Sequence, residues 1–492
     1  MLGEIPLVKN QYSVNPNGKL TSANAEYRRL RIEIKMPKSI IASPKTNPQS
    51  IKPIICVAEN ELSDLEENKR AWAIANNFSG KTGSVLLVPG EDNKSVGAVL
   101  LGIGDRSDPL CAGALVKKLP EGIWQFAAAE KFDLRMASIG FLLGSYSFDT
   151  YKKATLTKPK LLLDPSLDSR DILRQATATW AVRDLINIPA SDMGPDKIEA
   201  AARAIAKAGK ASIKVTKGAD LLSKNFPMIH AVGRASTIAP RLIDFSWGNK
   251  KAPKITLVGK GVAFDTGGLD IKPASSMRNM KKDMGGAANV LGLAQMIMDA
   301  KLNVRLRVLI PAVENSIAGN AFRPGDILQS RKGLSVEIGH TDAEGRLVLA
   351  DALALAAEEK PDLIIDMATL TGAARVALGP DLPPYYTNDE TFSVELNECA
   401  KAEHDPLWRM PLWQPYHKAL SSKVADMNNV TTDGFAGSIT AALFLQRFVP
   451  EDINWAHFDV FGWTPSAKHH APIGGEAQGI RALLATLSNR YN

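Results

Sequence analysis

The chain has 492 residues, 45% hydrophobic and 23% charged, which excludes a disordered or fibrous protein and implies about two to four domains with real cores. Its three cysteines, Cys56, Cys111 and Cys399, are far apart and form no CxxC pair, which argues against a disulfide framework or thiolate zinc site and for a reducing, cytoplasmic setting. The formal charge of +7 comes from scattered Lys and Arg, and no run of about twenty apolar residues is present to cross a membrane.

Residues 1–35 mix both signs of charge without an apolar signal core and are expected to form a flexible arm. A first domain over 36–170 follows, in which strand-like and helical runs alternate. VGAVLLGIG (Val96–Gly104) reads as a buried strand, and GALVKKLPEGIWQFAAAE (Gly113–Glu130) as helical. A helix containing TATWAVRDLIN then leads to the turn IPASDMGPD and a second helix, KIEAAARAIAKAG. A second domain is assigned to 171–492.

There the alternation of strand and helix is plain. KITLVGKG (Lys254–Gly261) is a strand and GGAANVLGLAQMIMDA (Gly285–Ala300) a helix that is apolar nearly all round. VRLRVLIPAV and LSVEIG read as strands, RLVLADALALAAEE as a helix, and DLIIDMATL (Asp362–Leu370) as a strand. Such an order predicts an α/β fold with a mostly parallel central sheet covered by helices. Ligands of these sheets collect beyond the carboxyl ends of the strands.

The chemistry-bearing residues fall at those ends. Lys260 and Asp265 follow one strand, Lys272 the next loop, and Asp283 precedes the buried helix. Asp342 and Glu344 follow LSVEIG, with Arg346 beside them. Helix capping alone explains acids before a helix. It does not explain why such groups converge on one crevice, provided the strands are neighbours. Carboxylates meeting there repel one another, and divalent cations resolve the conflict. An oxygen-rich set without cysteine suits Mn2+, Zn2+ or Mg2+. A phosphate-loop reading of GKGVAFDTGG is disfavoured, because neither GxxxxGK[ST] nor GxGxxG is present.

VGKGVAFDTGGLDIKP, MKKDMGGAA, TDAEGRLVLADAL and DMATLTGA together resemble the leucyl (cytosol) aminopeptidases, which are two-metal exopeptidases. The resemblance continues through NIPASDMGP, DPLWRMPLW, ADMNN and GSITAALFLQRF, from about Ala181 to Leu484. It implies a macro-domain-like first domain and a catalytic second one, assembled as a homohexamer that acts on peptides with a free N-terminus. By the same resemblance Asp265 and Glu344 bridge two divalent metals, Lys260 and Asp283 complete one site, and Asp342 completes the other. Lys272 polarises the scissile carbonyl, and Arg346 holds a bicarbonate general base. Met280, Thr369, Leu370 and Gly372 line the pocket for the N-terminal residue.

Two departures stand out. His340 occupies a position where the family more often has Asn, and the bland expectation is a histidine that satisfies loop backbone groups. In HFDVFGW, Phe461 and Trp463 add bulk where a small residue is common, which predicts a reshaped substrate pocket. His469 and His470 are expected on a surface loop, since adjacent residues point apart. The alternative function is a nucleic-acid-binding or scaffold role on the same fold; it lacks a dense basic run. A two-metal phosphatase would need phosphate-contacting groups that are missing.

Overall fold

In the computed structural model Val96–Gly104 is a strand over its whole predicted length. The structure describes residues 40–92, 94–128, 132–152 and 159–491, together with two short strands further upstream. Those strands, Ser13–Val14 and Leu20–Thr21, pair antiparallel in a unit spanning Met1–Glu33; the rest of the predicted arm lies outside the described residues.

The second unit, Ile34–Asn492, contains two principal sheets. The first orders its strands 85–89, 96–104, 51–58, 123–126 and 160–161. All of its pairings are parallel except that between 85–89 and 96–104. Val99, Leu101, Trp124, Phe141 and Leu142 are fully buried in its core. Gly113–Glu130 is not one helix as its sequence suggests. A 3-10 helix covers Pro109–Lys117 and a strand Ile123–Phe126. Pro120 and Gly122, the latter at φ +153°, break the helical path, and the alternating bulk of Ile123, Trp124 and Phe126 suits a strand.

The larger sheet has a parallel centre: 305–315, 254–259, 363–368 and 455–459 lie side by side. Antiparallel strands flank it, 241–248 and 212–217 on one side and 384–387 on the other. Helix Gly285–Ala300 covers one face, and Gly286 permits its close approach, since a Cβ there would lie 2.1 Å from the Met367 carbonyl oxygen. Helix Glu344–Ala357 buries Leu347, Val348, Leu349 and Leu353 in the core of the opposite side. Helix Ser169–Asn187 packs against both helix Leu134–Gly144 and helix Gly285–Ala300, so it joins the two layers.

LSVEIG departs from expectation. Its strand, Ser335–Glu337, is not a neighbour of the central strands. It sits in a small separate sheet, antiparallel to Ile327–Gln329 and parallel to Met427–Asn428. A three-residue strand with one buried side chain has too little apolar surface to hold an interior sheet position. The loop after it nevertheless reaches the crevice.

Candidate active site

Lys260 ends the central strand, its N–H bonded to the Met367 carbonyl at 3.0 Å. Its side chain turns inward and is 3% exposed. Nζ lies 2.9 Å from Asp283 Oδ2 and 3.0 Å from Glu344 Oε1, and it donates to the Thr369 carbonyl at 3.1 Å. Gly345 makes that path possible, because a Cβ there would meet Lys260 Cε at 2.5 Å and Nζ at 2.6 Å. Burial disfavours charge on this amine, but Asp283, Glu344 and Asp265 outweigh it and hold the group above its ordinary range.

Asp265 ends the neighbouring strand, Gly261–Asp265. Its Oδ1 accepts from the Gly267 N–H at 2.9 Å and from Asn315 Nδ2 at 2.8 Å. Its Oδ2 faces Lys272 Nζ at 2.9 Å, and Lys272 also pairs with Asp342. Asp283 lies directly before the buried helix, where its Oδ1 accepts from the Thr369 hydroxyl at 2.8 Å. Burial raises its proton affinity, but Lys260 and Lys282 prevail and hold the carboxyl below its usual range.

Asp342 and Glu344 behave oppositely. Burial, and then the nearby Asp265 carboxylate, push Asp342 up to about 7. The same two causes raise Glu344 well above the carboxylate range. Neither Glu344 oxygen accepts a hydrogen bond; the carboxylate has only its ion contact with Lys260. One oxygen from each of Asp265, Asp342 and Glu344 can be chosen so that all three lie within 4.8 Å of one another. Carboxylates converging in this way, with both buried Glu344 oxygens accepting no hydrogen bond, are costly unless cations occupy the space between them, so the residues present fit a divalent-metal site.

Arg346 is 8% exposed, and its Nη1 donates to the Asn429 carbonyl at 2.6 Å. Its buried Nε has no partner, and burial lowers the guanidinium to about 10. Among the described residues no carboxylate forms an ion pair with it.

The predicted residues therefore meet. Lys260, Asp265, Lys272, Asp283, Asp342 and Arg346 line one cavity of about 810 Å³, along with Met280, Thr369, Leu370, Gly372 and Phe461. Glu344 is wholly buried, is not among the lining residues and forms an ion pair with Lys260. Trp463 also lies outside the lining; Lys281 sits over its ring, 5.5 Å from the centroid, so only Phe461 of the two aromatics adds bulk to the cavity. His340 Nδ1 accepts the Asp342 N–H at 3.1 Å, the loop-satisfying role expected of it. His469 and His470 line a different cavity with Lys117 and Lys118.

Three further buried residues shape the site without any local sequence signal. Asn429 accepts from the Gly339 N–H through Oδ1 at 2.8 Å and donates to the His340 carbonyl at 2.8 Å, which fixes the loop carrying Asp342. Asn315 connects Asp265 to the Thr341 carbonyl. Asp459 accepts from the Leu370 and Thr371 N–H groups and from the Thr371 hydroxyl, and so sets the loop after strand 363–368. ADMNN and HFDV contain two of these residues, but their partners are about 90 positions away in sequence, so no local pattern announces the contacts.

The catalytic-domain model of the cytosol aminopeptidase family matches residues 180–484, and the N-terminal domain model of M17 aminopeptidases matches 53–164. This chain belongs to the cytosol aminopeptidase family. A probable cytosol aminopeptidase from Roseiflexus castenholzii is 42% identical over 71% of this chain and 75% of its own length. One from Corynebacterium glutamicum is 36% identical over 92% of this chain and 96% of its own. The crystal structure of a cytosol aminopeptidase from Coxiella burnetii superposes with a TM-score of 0.87 at 45% identity, covering 91% of this chain and 99% of the other. The bottromycin maturation enzyme BotP in complex with Mn gives 0.82 at 29% identity over 90% and 99%. This cytosol aminopeptidase family member is accordingly a metal-dependent aminopeptidase, a hydrolase with the mostly parallel α/β architecture of its relatives. Among the described residues, no helix is long and apolar enough to cross a membrane.

Proposed function

We propose that the crevice removes the N-terminal residue of peptides with two divalent cations held by Lys260, Asp265, Asp283, Asp342 and Glu344. The observation that carries this reading is the Glu344 carboxylate, buried at 1% exposure and accepting no hydrogen bond in a nest of other acids. Mn2+ and Zn2+ both suit such an oxygen-rich set with one amine, and BotP was solved with Mn. Bound there, the cations supply Lewis acidity and lower the pKa of water toward neutrality.

The remaining work falls to the chain. Lys272 lines the cavity, and its paired acids keep it charged, so it can donate to the carbonyl oxygen as negative charge develops there. Arg346, buried without a carboxylate partner, suits a small anion such as bicarbonate placed as general base. Thr369 links the walls: its hydroxyl holds Asp283 and its carbonyl receives Lys260. Met280, Leu370, Gly372 and Phe461 shape the space for the first side chain. We further propose an N-terminal domain over 36–170 and a catalytic domain over 171–492. A cytoplasmic homohexamer is the assembly this reading favours.

The test is hydrolysis of Leu-p-nitroanilide. Chelation should abolish it, and adding Mn2+ or Zn2+ should restore it. Failure of every divalent ion to restore activity would sink the metal assignment.

A further inference from the structure

The wall of the crevice around Phe461 contains more positive charge than the reaction described above uses. Lys282 is 7% exposed, and its amine lies over the Phe461 ring, 4.7 Å from the centroid. The Arg375 guanidinium lies over the same ring at 5.4 Å. All three side chains line the substrate cavity, beside Met280, Thr369 and Gly372.

Neither cation has an acidic partner within ion-pair distance among the described residues, and neither makes a side-chain hydrogen bond there. The acids nearest Lys282 are already engaged. Asp283 is held by Lys260 and the Thr369 hydroxyl. Asp459 is spent on the Leu370 and Thr371 N–H groups and two hydroxyls. Two like charges face a cavity, one of them buried, and their direct side-chain contact among the described residues is one aromatic face; Asp283 and Asp459 favour the charge of Lys282 only from a distance, while burial opposes it more strongly. Such ring contacts are weak and leave the desolvation of the lysine largely uncompensated. An apolar substrate side chain would worsen that deficit by displacing water. A carboxylate would relieve it and would gain charge-assisted hydrogen bonds from both groups.

We propose that Lys282, Phe461 and Arg375 form a subsite for a carboxylate on the first side chain of the peptide, so that N-terminal Glu and Asp are preferred substrates. The inference rests on the aminopeptidase reading and specifies its substrate class. Phe461 narrows the space available to a branched aliphatic side chain, and its ring supports the two cations from one side. The methylene stem of a glutamate can run past the ring to reach them.

The experiment uses the full-length, Mn2+-loaded protein and the p-nitroanilides of Glu, Gln, Leu and Lys. None of these carries a C-terminal carboxylate, so only the first side chain can supply the anion. Glu and Gln have nearly the same shape, and the ratio of their kcat/KM values isolates charge. The expected ratio is at least about tenfold in favour of Glu, with Lys the poorest of the four. Lys282→Met and Arg375→Met should each move the ratio toward one. Arg375 is exposed, so its replacement leaves the fold intact and keeps the test valid if Lys282→Met is unstable. Cleavage of Leu with no advantage of Glu over Gln overturns the subsite, as does a ratio that neither substitution changes. Failure to cleave any of the four counts against the aminopeptidase reading instead. Calorimetric binding of free glutamate against glutamine then decides the subsite separately, and binding of glutamate no tighter than glutamine overturns it.

Discussion

Two buried charged clusters in this protein are built on opposite terms. At the junction of the two layers Arg183 is fully buried, yet every nitrogen of its guanidinium is used. Nε and Nη2 hold Glu476 at 3.0 Å, Nη1 donates to the Leu143 carbonyl, and Nη2 also reaches the His470 carbonyl. Glu476 in turn accepts from the Thr464 hydroxyl and the Ala477 N–H. In the crevice, Glu344 accepts no hydrogen bond, Asp342 is pushed up to about 7, and the Arg346 Nε is unpaired. Burial is similar in the two places. A saturated cluster can serve as architecture, whereas an unsaturated one is a cost that the fold carries for a ligand.

The sharpest way to break this contrast is Glu344→Gln. It should cut kcat/KM for Leu-p-nitroanilide on the order of a thousandfold with the protein still folded by circular dichroism. Retention of more than a few per cent of activity would mean that the unsatisfied carboxylate is not functional.

Arg183→Met tests the other cluster. Leaving Glu476 buried and unpaired should cost about 3–5 kcal/mol in urea denaturation, because a removed partner strands the remaining charge. A loss below about 1 kcal/mol would show that the junction tolerates unpaired charge as the crevice does.

Gly345→Ala probes how closely the crevice is packed. The added methyl meets Lys260 Cε at 2.5 Å, so the lysine must move away from Asp283 and Glu344. Metal affinity, read by titration of activity with Mn2+, should fall about tenfold, a larger effect than the accompanying shift in melting temperature. Unchanged affinity would detach Lys260 from the metal site.

The smallest effect concerns His457, which lies between the two cases. Its Nδ1 is 2.6 Å from Asp366 Oδ1, and its Nε2 is buried without a partner. Burial opposes its charge, but Asp366 prevails and raises its proton affinity. A raised histidine stabilises the fold fully below its unfolded value of about 6.5, and that contribution is lost as pH rises through the folded value. The stability difference between the protein and His457→Gln should therefore be largest near pH 6 and shrink toward pH 9. A difference independent of pH would mean that His457 is neutral throughout.

Much of the fold and of the crevice is legible in the residues themselves. Helix Gly285–Ala300 has its predicted bounds because a nearly all-apolar run between Asp283 and Lys301 has one low-energy state, a buried helix. Lys260 and Asp265 follow from strand ends alone, since parallel sheets place strand C-termini on one edge, whereas Asp283 stands before the buried helix and Asp342 reaches the crevice from the small separate sheet. Segment Gly113–Glu130 shows the limit. Its apolar residues fit either period, and the break at Pro120–Gly122 decides between them.

The sequence by itself determined the parallel centre of the large sheet and the residue types at its mouth. Hydrophobic period and glycine placement act over a few positions, and both are written locally. Only the tertiary structure decided that Ser335–Glu337 leaves the main sheet, that Asn429 and Asp459 hold loops about 90 residues distant, and that Lys282 and Arg375 share the Phe461 ring. Those contacts join segments far apart in the chain, and their energy appears only once packing has brought the segments together and excluded water.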